Sequence, residues 1–265
     1  MKNKKLVSIL ASIAMLSIGL TGCSAVNENH NAVSQTTSHA SKEVGGLTSE
    51  KQYKELANLN YESDSNVVIF VNSNNSTLNK KNWKHSEILY QNLDYLNRAS
   101  SPTTAYLDKS NIANTRYRVR QTVKPTGWHS NRPGAEIYNR GHLIAYSLSG
   151  GINKWGKYTG GKKVGDQNNP KNLFTQTAYA NQNVQTYYES QVREALMSGQ
   201  KVIYQATPIF RGSEKLARGV NLQAVSTDGM LNFNVYIFNV QPGYKFDYQT
   251  GRAIKDNSMK VKFYQ

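Results

Sequence analysis

The segment YNRGHLIAYSLSG, residues 138–150, places a histidine between an Arg-Gly pair and a run of apolar residues. An imidazole can accept a proton near neutral pH, so His142 is a candidate general base. Arg140 supplies a permanent cation that can bind a phosphate through two N–H groups, and Gly141 lets the backbone approach a ligand or adopt a positive φ. Because a histidine in an apolar strand is more often structural, this segment alone leaves both roles open.

A second polar cluster lies in NPKNLFTQTAYANQN, residues 169–183, where six amide side chains surround apolar residues. Amides at a loop-to-helix junction often cap the helix and satisfy backbone groups. Their oxygens also suit a hard cation such as Mg²⁺, which keeps most of its waters when it binds a protein. The six amides belong to Asn169, Asn172, Gln176, Asn181, Gln182 and Asn183.

Glu189 and Arg193 form a third group, eight and twelve residues after Asn181. By themselves they are an i,i+4 pair on a helix, which stabilises that helix by only about 0.2–0.5 kcal/mol. On the same side of the helix as Asn181, they could hold the water around a metal ion and a phosphate, respectively. The chain has no cysteine pair, no His-rich metal spacing, no phosphate-binding glycine loop and no Gly-x-Ser-x-Gly turn, so hydrolysis would rest on these few side chains.

Hydrophobic periodicity predicts the elements that must position these groups. Residues 66–72 and 117–121 are predicted strands, and residues 139–146 are a predicted strand beside the second of them. Residues 87–100 fit either a short helix or a strand followed by a turn. Residues 150–172, rich in Gly, Asn and Lys, predict a loop.

After this loop the apolar spacing becomes helical, and Gly199 predicts the end of the helix. The apolar face of this helix is formed by Tyr188, Val192, Ala195 and Leu196. The last third predicts antiparallel strands, with hairpins at Asp228-Gly229 and within residues 244–254. We therefore predict an α+β domain with a central antiparallel β-sheet.

The N-terminus has the layout of an export signal. Lysines precede an apolar stretch at residues 6–20, which is shorter than the roughly 20 residues that span a bilayer. The tetrapeptide Leu20-Thr21-Gly22-Cys23 resembles a bacterial lipobox, which is cleaved before a cysteine that then carries a diacylglycerol. We predict a lipoprotein signal peptide at residues 1–22 and a lipid anchor on Cys23; an uncleaved anchor helix and a free surface thiol are the alternatives.

Residues 23–47 are predicted to be the lipidated cysteine and a flexible tether, because Ser, Asn, Thr and Gly dominate this stretch. His30 and His39 lie in it and are expected to be solvated. The remaining residues, 48–265, are about 218 residues, enough for one well-buried domain. The protein is thus expected to be exported, and either lipid-anchored on the outer face of the cell membrane or released extracellularly.

The chain is strongly basic, with 32 Lys and Arg against 17 Asp and Glu and a formal net charge of +15. Removal of the signal takes away three lysines and no acidic residue, which leaves +12. Outside a cell this charge suits nucleic acid, anionic wall polymers or lipid head groups. The basic residues are scattered, so a solvated basic surface is at least as good an interpretation.

Three motifs follow one another along the chain: NRGHLIAYSLSGG, then NPKNLFTQTAYANQ, then YYESQVREAL. Together they resemble the DNA/RNA non-specific endonuclease family of the ββα-metal finger type, in particular its streptococcal secreted DNases and competence DNA-entry nuclease. The resemblance covers roughly residues 65–252. It implies that the antiparallel sheet carries a ββα-metal finger active site.

The resemblance also implies a role for individual side chains. His142 corresponds to the general base, and Asn181 to the one direct protein ligand of Mg²⁺, for which Mn²⁺ could substitute. Glu189 corresponds to a helix glutamate that holds metal-bound water, and Arg193 to an arginine that binds phosphate.

The implied reaction is hydrolysis of DNA, and also of RNA, without sequence preference. His142 would deprotonate a water in line with the phosphorus, and the cation would help the 3′ oxygen depart, which leaves 5′-phosphate ends. Recognition of backbone phosphates would make binding strongly salt-dependent. Membrane contact would come through the lipid anchor only, and no protein partner is implied.

One position departs from the family motif Asp-Arg-Gly-His, because residue 139 is Asn and the negative charge is missing. Arg140 matches the motif arginine, and Asn172 and Gln176 match supporting amides near the site. We expect activity to be retained, since the base and the metal ligand are present, with metal affinity and rate as the properties that Asn139 would alter.

Three functions therefore compete. The leading one is a surface-tethered, Mg²⁺-dependent nuclease that acts on DNA and RNA. The second is a nucleic-acid receptor that binds without cutting, which Asn139 and the net charge would suit. The third is a lipoprotein that binds anionic wall polymers, which needs the charge but none of the three motifs.

Overall fold

The computed structural model describes residues 45–47, 49–161 and 165–264. The predicted signal peptide, Cys23 and the tether up to residue 44, with His30 and His39, lie outside these described residues. No helix in the described part is long and apolar enough to cross a membrane.

Ten strands and two α-helices are found in the described residues, and we number them in chain order. The helices are α1 (Glu50–Ala57) and α2 (Thr186–Met197), and the strands are β1 (Val68–Phe70), β2 (Glu87–Leu89), β3 (Thr103–Leu107), β4 (Tyr138–His142), β5 (Leu173–Thr177), β6 (Val202–Ile209), β7 (Gly219–Ser226), β8 (Asn232–Phe238), β9 (Tyr244–Asp247) and β10 (Arg252–Lys255).

A six-stranded antiparallel sheet is the centre of the domain, with strand order β1-β8-β7-β6-β3-β2. Every residue of β6, β7 and β8 except Asn232 is buried, so both faces of these strands are covered. One face packs on the apolar side of α2, where the rings of Tyr188 and Phe233 lie 5.2 Å apart. Burying one such side chain stabilises the fold by about 1.5–3 kcal/mol. The predicted α+β domain with a central antiparallel sheet is confirmed.

The predicted helix and both hairpins are also confirmed. The four apolar residues of the helical face are buried. The helix ends at Met197, and Gly199, two residues later, has a left-handed backbone conformation with φ +85°. Gly229 has φ +85° in the β7–β8 turn, and its N–H donates to the Ser226 carbonyl at 2.9 Å. The strands β9 and β10 pair antiparallel across a turn that contains Gly251, with φ +81°.

Strands β4 and β5 form a separate antiparallel pair, in which His142 lies opposite Leu173 and Asn139 opposite Gln176. A π-helical turn, Ala180–Gln185, follows β5 and leads directly into α2. The pair and the helix make a ββα unit. The predicted strand 139–146 is therefore partly wrong, because β4 ends at His142 and its partner is β5.

The predicted strand 117–121 is wrong. Residues 118–125 are irregular, because amide side chains and not a neighbouring strand satisfy their backbone. The Val119 N–H donates to Gln167 Oε1, and Gln167 Nε2 donates to the Tyr117 carbonyl at 3.1 Å. Asn168 Oδ1 accepts from the N–H groups of Thr122 and Val123, at 2.9 and 3.0 Å.

Other differences are smaller. The predicted strand 66–72 shortens to β1, and residues 87–100 contain β2 followed by turns, the second of the two alternatives. Helix α1 and strands β3 and β5 were not predicted. In its described residues, 150–161 and 165–172, the predicted loop is confirmed, apart from isolated β-bridges such as Ile152–Tyr158 and a 3₁₀ turn, Pro170–Asn172, at its end.

The tether boundary is corrected by a few residues. Leu47 is 6% exposed and belongs to the main apolar core, and its N–H donates to the buried Gln205 Oε1 at 3.0 Å. A Cβ on Gly46 would lie 2.1 Å from the same amide oxygen. Residues 45–47 are thus part of the packed domain and not of a flexible tether, because they fill space beside β6.

Candidate active site

An open cleft of about 560 Å³ is lined by residues of β4, the π-helical turn and α2. Two predicted residues, Asn172 and Gln176, are fully buried and are described separately below. The cleft brings together the remaining predicted site residues of the described part, which are Asn139, Arg140, His142, Asn181, Glu189 and Arg193.

His142 is the last residue of β4, and its side chain is held at the edge of the cleft. The residue is 7% exposed, and Nε2 lies 3.2 Å from the Gln167 carbonyl. A carbonyl only accepts, so this contact requires the hydrogen of the neutral ring to be on Nε2. Nδ1 is then the unprotonated nitrogen, which is the atom that could take a proton.

The surroundings of His142 favour the neutral ring. Burial, and secondly the positive charge of Arg118, lower the pKa of His142 from 6.5 to about 4, while the hydrogen bond to Gln167 acts in the opposite direction. The ring is therefore a base in its free form at neutral pH and not an imidazolium.

Glu189 lies in the first turns of α2 and is 8% exposed. Its Oε1 accepts a hydrogen bond from Gln185 Nε2 at 2.8 Å. Burial raises the pKa of the carboxyl from 4.5 to about 7, although Gln185, Arg193 and Arg118 oppose the rise. A buried carboxyl of this kind gains from a nearby cation, which would favour its ionised form.

Asn181 is the second residue of the π-helical turn, and its amide is oriented by Asn139 of β4. Asn181 Nδ2 lies 3.0 Å from the Asn139 oxygen when the Asn139 amide takes the orientation that satisfies its neighbours. Because Nδ2 is engaged, the Asn181 side-chain oxygen is the atom left to bind a cation.

Two of the arginines are held by neighbouring groups. The Arg140 Nε donates to the Val123 carbonyl, and its guanidinium lies 4.1 Å from the centre of the Trp128 ring. Arg193 Nη1 donates to Ser147 Oγ at 3.2 Å, and Nη2 donates to Ser190 Oγ. Fixed guanidinium planes of this kind suit two-pronged binding of a phosphate.

Gln185 connects the base to the carboxyl. Its Nε2 donates both to the His142 carbonyl, at 2.7 Å, and to Glu189 Oε1. Gln176 Nε2 in turn donates to Gln185 Oε1 at 3.0 Å. A Cβ on Gly141 would lie 2.2 Å from Gln176 Oε1, so glycine is needed there for close packing and not for a ligand or a positive φ.

Asn172 supports the site from behind. Its Nδ2 donates to the Ile144 carbonyl at 3.0 Å, and its Oδ1 accepts from the Ile144 N–H at 2.9 Å. The amide thus replaces a strand partner for the residues that follow His142 and fixes where β4 ends. Asn172 and Gln176 act on the position of cleft residues without lining the cleft.

Sequence reasoning did not single out three residues of the site. Arg118 lies in the alternating segment that was predicted to be a strand, and Gln185 lies beyond the amide cluster. Glu136 lies three residues before Asn139. The spacing of Gln185 did not predict that it faces the site, because a π-helical turn has more residues per turn than an α-helix and so changes which residues share a face.

The donor groups of the cleft suit a hydrated cation. In the described part of the chain, no three His, Cys, Asp or Glu side chains come together as a metal cluster. A cation in the cleft would be held by the Asn181 amide oxygen and by water, and the Glu189 carboxyl would be available to accept hydrogen bonds from that water. Oxygen donors with few protein ligands are what Mg²⁺ accepts, because it gives up its waters reluctantly.

Comparison with known proteins identifies a family and a relative. The model for the family described as DNA/RNA non-specific endonuclease matches residues 75–228. The chain is 27% identical over 173 residues to a deoxyribonuclease of Streptococcus dysgalactiae subsp. equisimilis, a match that covers 62% of this chain and 47% of that protein. The chain thus spans about half the length of this curated relative.

Solved structures show the same architecture. NucA from Streptococcus agalactiae, crystallised with a magnesium ion bound, is 30% identical with a TM-score of 0.63, and the match covers 79% of this chain and 99% of NucA. The Sda1 nuclease with a bound zinc ion shares the fold, with a TM-score of 0.55, 23% identity, and coverage of 72% of this chain and 97% of Sda1.

The family match and the solved structures together identify the family of this chain. The chain belongs to the DNA/RNA non-specific endonuclease family, as its three motifs predicted.

Proposed function

We propose that this protein is a divalent-metal-dependent endonuclease that hydrolyses DNA, and also RNA, without sequence preference. One observation carries the proposal. A single cleft contains a buried neutral imidazole, the amide of Asn181, a buried carboxyl and three guanidinium groups. These are the groups that phosphodiester hydrolysis needs: a base, a cation site and contacts for the phosphate.

The cation that we propose is Mg²⁺, with Mn²⁺ as a substitute. The presence of magnesium in the NucA structure supports a divalent ion here. Asn181 would be its direct protein ligand through the side-chain oxygen, and Glu189 would hold water molecules beside it. When bound, the cation would neutralise negative charge that develops on the phosphate and on the departing 3′ oxygen, which gives 5′-phosphate products.

His142 would take the proton of the attacking water through Nδ1. The Gln167 carbonyl, which holds the Nε2 hydrogen, would stabilise the positive ring that results. A pKa of about 4 makes the resting ring a weak base. A phosphate bound beside Arg118 would offset the charge that lowers this pKa, so the base would become stronger when substrate is present.

Arg118, Arg140 and Arg193 would bind phosphates of the backbone. Arg140 is positioned by the Val123 carbonyl and the Trp128 ring, and Arg193 by the hydroxyls of Ser147 and Ser190. Contacts with phosphates carry no sequence information, so cleavage would be non-specific and would weaken as salt increases.

The test is cleavage of supercoiled plasmid, linear DNA and RNA by the purified protein, in Mg²⁺ and in excess EDTA. We expect fragments in Mg²⁺ only, at many sites, with 5′ ends that a polynucleotide kinase labels only after phosphatase treatment. Intact nucleic acid together with a gel shift in EDTA would indicate the receptor function instead. Absence of both cleavage and binding would favour the wall-polymer function.

We also propose that the protein acts outside the cell and is lipid-anchored through Cys23. The lipobox-like tetrapeptide supports this proposal. In the full chain expressed in a bacterial host, Cys23→Ala should move the protein out of the membrane fraction. Unchanged membrane association would support an uncleaved anchor helix.

A further inference from the structure

Glu136 is an exposed residue shortly before β4, and its carboxylate accepts two amide donors at the edge of the cleft. Gln182 Nε2 donates to Glu136 Oε1 at 2.8 Å. Asn139 Nδ2 lies 2.9 Å from the same oxygen in its satisfied orientation. Glu136 thus contacts Asn139, whose side chain contacts the proposed cation ligand Asn181. It also contacts Gln182, the residue that follows Asn181 in the sequence.

The orientation of the Asn139 amide depends on these neighbours. With Nδ2 toward the Glu136 carboxylate and the Tyr138 carbonyl, at 2.9 and 3.0 Å, both of its donors are used. Its oxygen then accepts from Gln182 Nε2 at 2.9 Å and Asn181 Nδ2 at 3.0 Å. The reversed amide would place oxygen against acceptors and nitrogen against donors, which is unfavourable at every contact.

The same orientation decides which atom Asn181 offers to the cleft. Because the Asn139 oxygen accepts from Asn181 Nδ2, the Asn181 oxygen remains for a cation. If Asn139 turned over, its NH₂ would face Asn181 and attract the Asn181 oxygen instead. The NH₂ group of Asn181 would then face the cation, and an NH₂ group does not bind a metal ion.

We propose that Glu136 is a positioning residue for the metal site: its carboxylate fixes the Asn139 amide, which turns the Asn181 oxygen toward the cation. This inference rests on the proposed function, and within it assigns a role to a residue outside the three motifs. A carboxylate at position 139 would not need Glu136, because either of its oxygens can accept from Asn181 Nδ2.

The proposed role of Glu136 is tested by measuring how tightly the protein binds a metal ion. Purified protein without substrate is titrated with Mn²⁺, and free Mn²⁺ is measured by electron paramagnetic resonance. We expect Glu136→Ala to weaken Mn²⁺ binding about tenfold, on the scale of other residues that orient a metal ligand. Glu136→Gln keeps an oxygen that can accept from both amides, so it should restore binding to within about threefold of wild type.

The same titration in the Asn139→Asp background provides a second test. In that background Glu136→Ala should not weaken Mn²⁺ binding, because one oxygen of a carboxylate at position 139 can accept from Asn181, while the other faces the Glu136 carboxylate unfavourably. Glu194→Ala, an exposed glutamate on α2, is the control for loss of one surface charge. Thermal unfolding in EDTA should give the same midpoint for wild type and for each single variant, so that lost binding is not lost folding.

Several outcomes would overturn the inference. If Glu136→Gln weakens binding as much as Glu136→Ala, the charge of Glu136 matters and not its orienting contact. If Glu136→Ala is equally harmful in the Asn139→Asp background, or if the wild type binds no Mn²⁺, the proposed role is wrong. A wild type that binds Mn²⁺ but leaves plasmid intact would refute the proposed nuclease and leave the role of Glu136 to be decided by the titrations.

Discussion

Replacement of Glu189 by Gln should change how the stability of the metal-free protein depends on pH. Burial raises the pKa of the Glu189 carboxyl from 4.5 to about 7. The folded-state pKa is thus above the unfolded one, so the unfolded chain releases its proton first as the pH rises. Wild type therefore loses stability from about pH 4.5 upward, and the loss is complete above about pH 7.

The size of this loss follows from the two pKa values. A carboxyl whose pKa rises from 4.5 to about 7 on folding costs about 3 kcal/mol when it is ionised. About 2.5 kcal/mol of this loss falls between pH 5 and 8. For a domain of this size, 1 kcal/mol corresponds to about 2–4 °C in the unfolding midpoint, so about 5–10 °C should be lost over that range. Glu189→Gln cannot ionise, and its oxygen can still accept from Gln185, so it should lack this loss.

The assay is thermal or urea unfolding in EDTA at pH 5 and pH 8, for wild type and Glu189→Gln. The control is Glu194→Gln, which removes an exposed carboxyl from the same helix. Adding Mg²⁺ at pH 8 should raise the midpoint of the wild type more than that of Glu189→Gln, because only an ionised carboxyl attracts the cation. Equal pH dependence in wild type and Glu189→Gln would refute the burial argument, and an equal rise of both midpoints with Mg²⁺ would refute the placement of Glu189 beside the cation.

Further predictions concern three other cleft residues. His142→Ala should lower the cleavage rate about 10²–10⁴-fold while gel-shift affinity for DNA is retained, because a base is lost and no phosphate contact. A His142 pKa of about 4, below the ordinary 6.5, also means that wild type loses stability as pH falls from 6.5 toward 4; unfolding curves for His142→Ala should lack this loss, and equal curves would contradict it. Asn181→Ala should lose cleavage at low Mg²⁺ and regain part of it at high Mg²⁺, whereas an unfolded variant would identify Asn181 as a structural cap. Asn139→Asp should lower the Mg²⁺ concentration needed for half-maximal cleavage, with a rate change under about tenfold; an inactive wild type switched on by this change would favour the receptor function.

The parts of the fold that could be predicted are those in which local periodicity and tertiary packing agree. Helix α2 has four apolar residues on one face, and that face packs on the sheet. The long strands β6, β7 and β8 combine apolar runs with the turn dipeptide Asp228-Gly229. In these segments the side chains that indicate the element are also the ones that bury it.

Prediction failed where partners distant in sequence decide the structure. The alternation around Tyr117, Val119 and Gln121 predicts a strand, but Tyr117 ends a 3₁₀ turn, and Gln167 and Asn168 supply hydrogen bonds to this segment in place of a neighbouring strand. Strand β5 looks like the end of a loop because its role depends on pairing with β4. A pattern of residue types carries no information about which distant group will satisfy a backbone N–H.

The site divides in the same way. His142, Asn181 and Glu189 could be proposed from their chemistry and their motifs, because those roles require particular side chains. Gln185 and Glu136 could not, since an amide or a carboxylate that orients a neighbour is recognised only by its contacts. Gly141 was singled out correctly, but the reason is its close approach to Gln176 and not a ligand.

The charges of the cleft explain why such orienting contacts matter. Arg118, Arg140 and Arg193 face the same space as Glu136 and Glu189, so the cleft without ligands has an excess of positive charge. That excess attracts a phosphate backbone and opposes a divalent cation, whose binding then depends on well-placed oxygens. A bound phosphate would offset the arginines, and a bound cation would offset the ionised Glu189 and the phosphate. Since each ligand lowers the electrostatic penalty for the other, cation and nucleic acid should bind this cleft more tightly together than either does alone.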